Sequence, residues 1–218
     1  MPWKTFWMEH TGRERVGLRR YGSDRGRRHD EGLLCEAGFH QAFAWTGDEV
    51  PTVRSDHGTS RTSLEITVAA DDPRWPASCE GCGREFTAVD ERQVWTEALY
   101  KRVDTGEYRV LHHKHVPPGM RTAEAGAMWD ATWMPEQWRG EDGISLMVRC
   151  PRNDRDDELS GSDWPVDMPS TNSGGRWTRT GDPRRARVTA SPSISIGTPG
   201  APGAYHGWLQ DGVLSDPL

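Results

Sequence analysis

Two thiols two residues apart, in Cys79-Glu80-Gly81-Cys82 with Gly83 directly behind them, constrain the fold of this chain more than any other feature. Thiolates at that spacing reach one metal ion from a single turn. Glycine after the second cysteine lets the backbone turn so that amide N–H groups point at the sulfurs. This is one half of a zinc knuckle, and it predicts a fold stapled by a structural zinc ion. A thioredoxin-type redox dithiol would open a helix in a strand–helix–strand setting, whereas this motif follows Asp72-Pro73-Arg74-Trp75-Pro76. Plain, unmetallated thiols are the remaining alternative.

A staple matters because only 34% of the 218 residues are hydrophobic, which leaves too little aliphatic surface for a large core. Eleven tryptophans supply part of the difference, since each aromatic can bury ~150–250 Å². The 24 glycines and 15 prolines favour short elements joined by many turns. Together these predict an α+β fold that is predominantly β, built of short antiparallel strands and hairpins with one or two short helices. The expected organisation is one compact unit, with a β-rich zinc-knuckle region over 1–150 and a loop-rich region over 151–218 packed on it.

Tetrahedral zinc needs two more ligands. Cys35 and His40, at C-x4-H spacing, can close around an ion from one turn, giving a Cys3His site from Cys35, His40, Cys79 and Cys82. Cys150 is the first substitute and His206 another; a cysteine such as Cys35 or Cys150 can equally be a small buried apolar residue. In His112-His113-Lys114-His115, His113 and His115 share a strand face and could bind a catalytic metal, but no HExxH, paired carboxylates or telling third ligand accompany them. A closed Cys3His site leaves no position for an activated water, so the expected metal is structural and the chain is read as a non-enzyme.

Hydrophobic spacing places the other elements. Residues 3 to 21 read as two short strands separated at Gly12-Arg13, and residues 22 to 32 as a charged loop. Leu64, Ile66 and Val68 alternate with polar neighbours as a half-buried strand does. Trp95 to Val103 and Glu107 to His113 flank Asp104-Thr105-Gly106 as a hairpin, against a competing helix from Asp90 to Arg102. Residues 122 to 133, alanine-rich with Trp129 and Trp133 four apart, predict a short helix. Ile144 to Val148 reads as a buried strand and Asn153 to Gly175 as a long surface loop. Arg187 to Ile196 reads as a strand that Pro192 confines to an edge or a bulge, and Tyr205 to Gly212 as a strand entering an Asp-Gly turn.

Charge is uneven. Net −6 overall, the chain collects Lys4, Arg13, Arg15, Arg19, Arg20, Arg25, Arg27 and Arg28 within its first thirty residues, which suits either a solvated strand face or contact with nucleic acid or an acidic partner. No run approaches the ~18 apolar residues of a membrane span, and Met1-Pro2-Trp3-Lys4 lacks a signal peptide's apolar stretch. A cytoplasmic product without membrane contact is expected.

The segments Asp72-Pro73-Arg74-Trp75-Pro76 with Cys79 and Cys82, Ala127 to Trp133, Ser191-Pro192-Ser193-Ile194 and Tyr205 to Gly212 resemble a family of uncharacterised proteins from actinobacteria and their tailed phages. The resemblance covers most of residues 70 to 218. The C-terminal third is also similar to a broader phage and bacterial domain of pattern Cys-Pro-x-Cys-Gly, Trp, Gly-Asp, Ser-Pro-Ser-Ile, then Cys-His before an Asp-Gly turn. This chain departs from that pattern where Arg152-Asn153 follows Cys150-Pro151 and where Tyr205 precedes His206. The resemblance implies a phage or prophage setting and no particular activity. The expectation is a zinc-stapled structural or interaction protein that binds other proteins, as a minor virion or assembly component. A zinc-knuckle nucleic-acid binder and a metal-dependent hydrolase using His113, His115 or His206 are the alternatives.

Overall fold

The computed structural model describes residues 2–23, 39–52, 66–111, 121–151, 161–169, 177–197 and 204–215. Among the described residues thirteen strands form two sheets, and the only helical turns are two three-residue 3-10 turns, at Glu136–Trp138 and Pro183–Arg185. The protein is predominantly β, and the short helices expected from the sequence are absent from the described residues.

A single long strand organises the larger sheet. β1 (Trp3–Lys4) is followed by β2 (Phe6–Ser23), which pairs antiparallel with β3 (Phe39–Pro51) on one side and β4 (Glu91–Arg102) on the other. The two strands expected between residues 3 and 21 are therefore mostly one. Gly12, at φ 74°, marks a register shift between His10 and Glu14 instead of a turn, so the strand bends without reversing. β5 (Tyr108–Val110) completes the predicted hairpin with β4, closed by Gly106 at φ 77°, and the competing helix is excluded.

β6 (Arg121–Thr122), β7 (Ala127–Asp130), β8 (Leu146–Pro151) and β9 (Gly161–Pro165) give the sheet order β6-β5-β4-β2-β7-β8-β9, with β3 on β2. The helix expected over 122–133 is strand β7, parallel to the start of β2 and antiparallel to β8. Its side chains alternate between two cores, Met128 into one and Ala127 with Trp129 into the other. Burial on both faces overrides the helix propensity of alanine. Trp129 is fully buried while Trp133 is exposed, so the two do not share a face. β9 likewise forms inside the segment expected to be loop, and Ile66 to Ala69 carry no strand.

β10 (Thr178–Asp182), β11 (Arg187–Ile196), β12 (Tyr205–Gln210) and β13 (Val213–Leu214) join β1 in an antiparallel sheet of order β1-β13-β12-β11-β10. Pro192 falls at a register shift between Ala190 and Ile194, the expected bulge. Asp211 and Gly212, at φ 44° and 75°, make the expected turn. Val188, Ala190, Ile194, Tyr205, Leu209 and Leu214 of this sheet pack on Trp7, Met128, Leu146, Val148 and Trp164 of the other, so the main core draws on chain from both sides of residue 150. No helix among the described residues is long and apolar enough to cross a membrane.

Candidate metal centre

The predicted knuckle sits at the tip of a small hairpin. Phe86 N–H donates to the Ala77 carbonyl at 2.8 Å and Cys79 N–H to the Arg84 carbonyl at 2.8 Å, with a bridge between Ser78 and Glu85. Gly83 N–H closes the turn on the Cys79 carbonyl at 2.9 Å, and Gly83 takes φ 74°, the left-handed conformation that the glycine after the second cysteine was expected to supply.

Strand pairing brings His40 to this tip. In β3 it lies opposite Gly22 of β2 and faces the same side as buried Ala42, which packs with Cys79 and Phe86. Glu80 ties the two segments together: its N–H donates to the Gln41 carbonyl at 3.2 Å, and its Oε1 accepts from Phe43 N–H at 3.0 Å. The result is a group of one ring nitrogen and two sulfurs, from His40, Cys79 and Cys82, all within 4.8 Å of one another. His40 Nδ1 and Cys82 Sγ are 3.3 Å apart across 42 positions of sequence. Ligands at ~2.3 Å (S) and ~2.0 Å (N) on a tetrahedral ion stand about 3.5 Å from each other, so this separation suits one edge of such a site. Cys79 and His40 are buried and Cys82 is exposed. These three residues could hold a metal ion.

Buried charge anchors the knuckle to the sheet. Arg20 of β2 donates to the Thr87 carbonyl at 2.6 Å and lies 5.1 Å from the Phe86 ring centroid. Burial lowers its pKa, Arg92 adds to that, and Asp90 opposes it. Asp90, buried beside Gly22, accepts from Thr87 N–H at 2.6 Å and pairs with Arg84 at 3.1 Å. Burial works against its ionised form, yet the Thr87 amide and the Arg84 guanidinium outweigh it and hold the carboxyl below its ordinary value.

Of the predicted ligands, the structure brings together His40, Cys79 and Cys82. Cys35 lies outside the described residues, as do His113 and His115. Cys150 is not in the group: it is fully buried in the main core, where burial, with Asp163 second, raises its thiol pKa well above the ordinary value. That thiol is a packed apolar group.

His206 is also elsewhere, on β12 of the smaller sheet. Its Nε2 is 3.2 Å from Ser193 Oγ on β11, its ring stacks on Trp208 at 6.0 Å, and the Ser193 carbonyl accepts from Trp177 Nε1 at 3.3 Å. The sequence reading did not find this serine–histidine pair. Ser193 and His206 stand 13 positions apart, and only the β11–β12 register unites them.

No protein-family model, curated protein or solved structure matches the chain.

Proposed function

We propose that this chain is a non-enzymatic, phage-type structural or interaction protein whose zinc ion serves the fold, and that it works by binding other proteins as a minor virion or assembly component. The observation that carries the zinc reading is the His40–Cys79–Cys82 group, in which an imidazole and two thiols from distant segments converge on one point. We take Cys35 as the fourth ligand. With three thiolates and one imidazole the ion has no open position, so it polarises no substrate and activates no water. The bacterial-host setting and the virion role follow from the sequence resemblance.

The basic N-terminus favours a protein partner over nucleic acid. Arg13 and Arg15 pair with Glu49 at 2.8 and 3.6 Å, and Arg20 is buried under the knuckle, so three of the arginines that would neutralise phosphate are committed within the fold. Among the described tryptophans Trp7, Trp75, Trp129 and Trp164 are buried, and the exposed Trp133 and Trp208 are the ones available to a partner.

Elemental analysis and X-ray absorption test the zinc. The expected result is one zinc per chain with about 2.3 Å sulfur and about 2.0 Å nitrogen contacts; a metal-free, folded protein refutes the staple. The partner role is tested by fractionating infected cells, with the chain expected in particles or assembly intermediates. A monomer associated with neither overturns it, and salt-sensitive gel shifts would move the reading to nucleic acid.

The Ser193–His206 contact favours one second reading, a metal-independent hydrolase. Imidazole Nε2 would take the Ser193 proton as Oγ attacks an acyl carbon, then pass it to the leaving group. A fluorophosphonate probe decides the matter: labelling that Ser193→Ala abolishes supports it, and an unlabelled folded protein removes it.

A further inference from the structure

The two sulfurs of the centre are not equivalent. Cys79 is 3% exposed, packed against Ala42 and Phe86, whereas Cys82 at the far side of the same turn is exposed. A zinc-bound thiolate keeps nucleophilic character, and attack on a disulfide requires access as well as thiolate. The fold thus presents one sulfur to solvent and screens the other behind Ala42 and Phe86, within the same turn.

We infer that the knuckle is a thiol–disulfide switch: a small-molecule disulfide reacts first with the exposed Cys82 and then, through it, with Cys79, and expels the metal. The inference rests on the zinc reading above. In the first step Cys82 Sγ attacks one sulfur of the disulfide, forming a mixed disulfide and releasing one small thiolate. In the second, Cys79 Sγ attacks the Cys82 sulfur, and the second small thiolate leaves. The protein thiolates lose two electrons in forming one S–S bond. The oxidant gains them, its two thiolates take protons from water, and the zinc enters solution as the dication.

The turn accommodates this chemistry because both cysteines sit in one backbone-closed turn. Cys79 N–H to the Arg84 carbonyl and Gly83 N–H to the Cys79 carbonyl hold both cysteines in one closed turn, which raises the effective concentration of the second sulfur. His40 would then be the one described ligand left. What the oxidised form loses is the link through the ion between the knuckle and His40, leaving the Glu80 hydrogen bonds to Gln41 and Phe43 as the tie to β3. Cys150 takes no part, since it is buried in the main core.

The experiment uses the full-length zinc-loaded protein and oxidised glutathione, reading zinc with a chromogenic chelator and modified peptides by mass spectrometry. The expected result is release of one zinc per chain, an early glutathione adduct on Cys82, a final Cys79–Cys82 disulfide, and recovery on adding dithiothreitol with zinc. Adducts that appear first on Cys79, a final disulfide involving any other cysteine, or zinc retained under oxidant each overturn the switch; retained zinc does so while leaving the zinc reading intact. A chain that binds no zinc overturns both. Because the order of attack is read on the unmutated protein, no variant needs to fold.

Discussion

Gly22→Ala should destabilise this protein by about 1.5–5.5 kcal/mol, although an alanine in a strand is normally the better residue. Gly22 pairs with His40 across β2 and β3, and a Cβ built on it would overlap Asp90 Oδ1 and lie 3.0 Å from Cγ. An ordinary contact needs ~3.5 Å or more, so the carboxylate would have to withdraw. It is poorly placed to do so. Its side chain is 3% exposed, Oδ2 accepts from Thr87 N–H at 2.6 Å and Thr87 Oγ1 at 3.2 Å, and Arg84 reaches both oxygens at 3.1 to 3.2 Å.

Two terms then add. Forcing a methyl into a filled site costs about 1–3 kcal/mol, and weakening hydrogen bonds to a buried carboxylate costs about 1.5–3 kcal/mol if one is lost outright. Against them stands the gain of about 0.4–1 kcal/mol from a stiffer unfolded chain, available because Gly22 does not sit at positive φ. Urea titrations followed by tryptophan fluorescence give the difference, and an Asp90→Ala background supplies the control. With the carboxylate gone the methyl has room, so Gly22→Ala should there cost under about 0.5 kcal/mol or stabilise. An equal penalty in both backgrounds would refute the steric argument, as would a negligible penalty in the native sequence. Zinc content should also fall, because Arg84 holds Cys79 through its carbonyl.

Removing zinc with a strong chelator should lower stability by about 2.7 kcal/mol relative to protein in zinc at a hundred times its dissociation constant, seen as a lower thermal midpoint; an unchanged midpoint would contradict the staple. Gly17→Val should unfold or strongly destabilise the β2–β3–β4 face, because a Cβ there meets the Trp95 indole at 2.5 and 2.6 Å while Trp45 packs on the same ring at 5.3 Å; circular dichroism and near-ultraviolet spectra report it. Asp142 accepts from Arg179 at 2.6 Å, and that guanidinium holds its carboxyl below the ordinary value. A depressed folded-state pKa gives stability that is present above the unfolded value near ~3.9 and lost as pH falls through the folded one. Asp142→Asn should therefore be less stable than the native protein at pH 7, with the gap closing toward pH 2 in urea titrations; a gap independent of pH refutes it.

What the sequence revealed divides by distance. Cys79, Cys82 and Gly83 act within one turn, so their spacing alone predicted the geometry, and the β4–β5 hairpin was legible for the same reason. His40 was singled out by its C-x4-H spacing from Cys35, and its convergence with Cys82 over 42 positions depends on β2 carrying β3 alongside the knuckle. The readings that failed share a different cause. Ala127 to Asp130 has helix-forming alanine, yet lies between β2 and β8 with both faces covered, a context that local propensity does not encode. Gly12 was read as a turn because a left-handed glycine serves a reversal and a bulge equally well, and only the register with β4 distinguishes them. The same logic explains why Ser193 and His206 escaped notice: each is an ordinary strand residue, and their contact exists only because the shift at Pro192 sets which β11 side chain faces β12. Deleting one of the two extra residues that β11 spends between Ala190 and Ile194 would shift Ser193 by one place against its neighbours, and a one-place shift exchanges faces because side chains alternate with period two. The hydroxyl would leave the imidazole, so loss of the His206 contact on such a deletion, seen as a change in the ring's NMR chemical shifts at one fixed pH, is what this account of the pair requires.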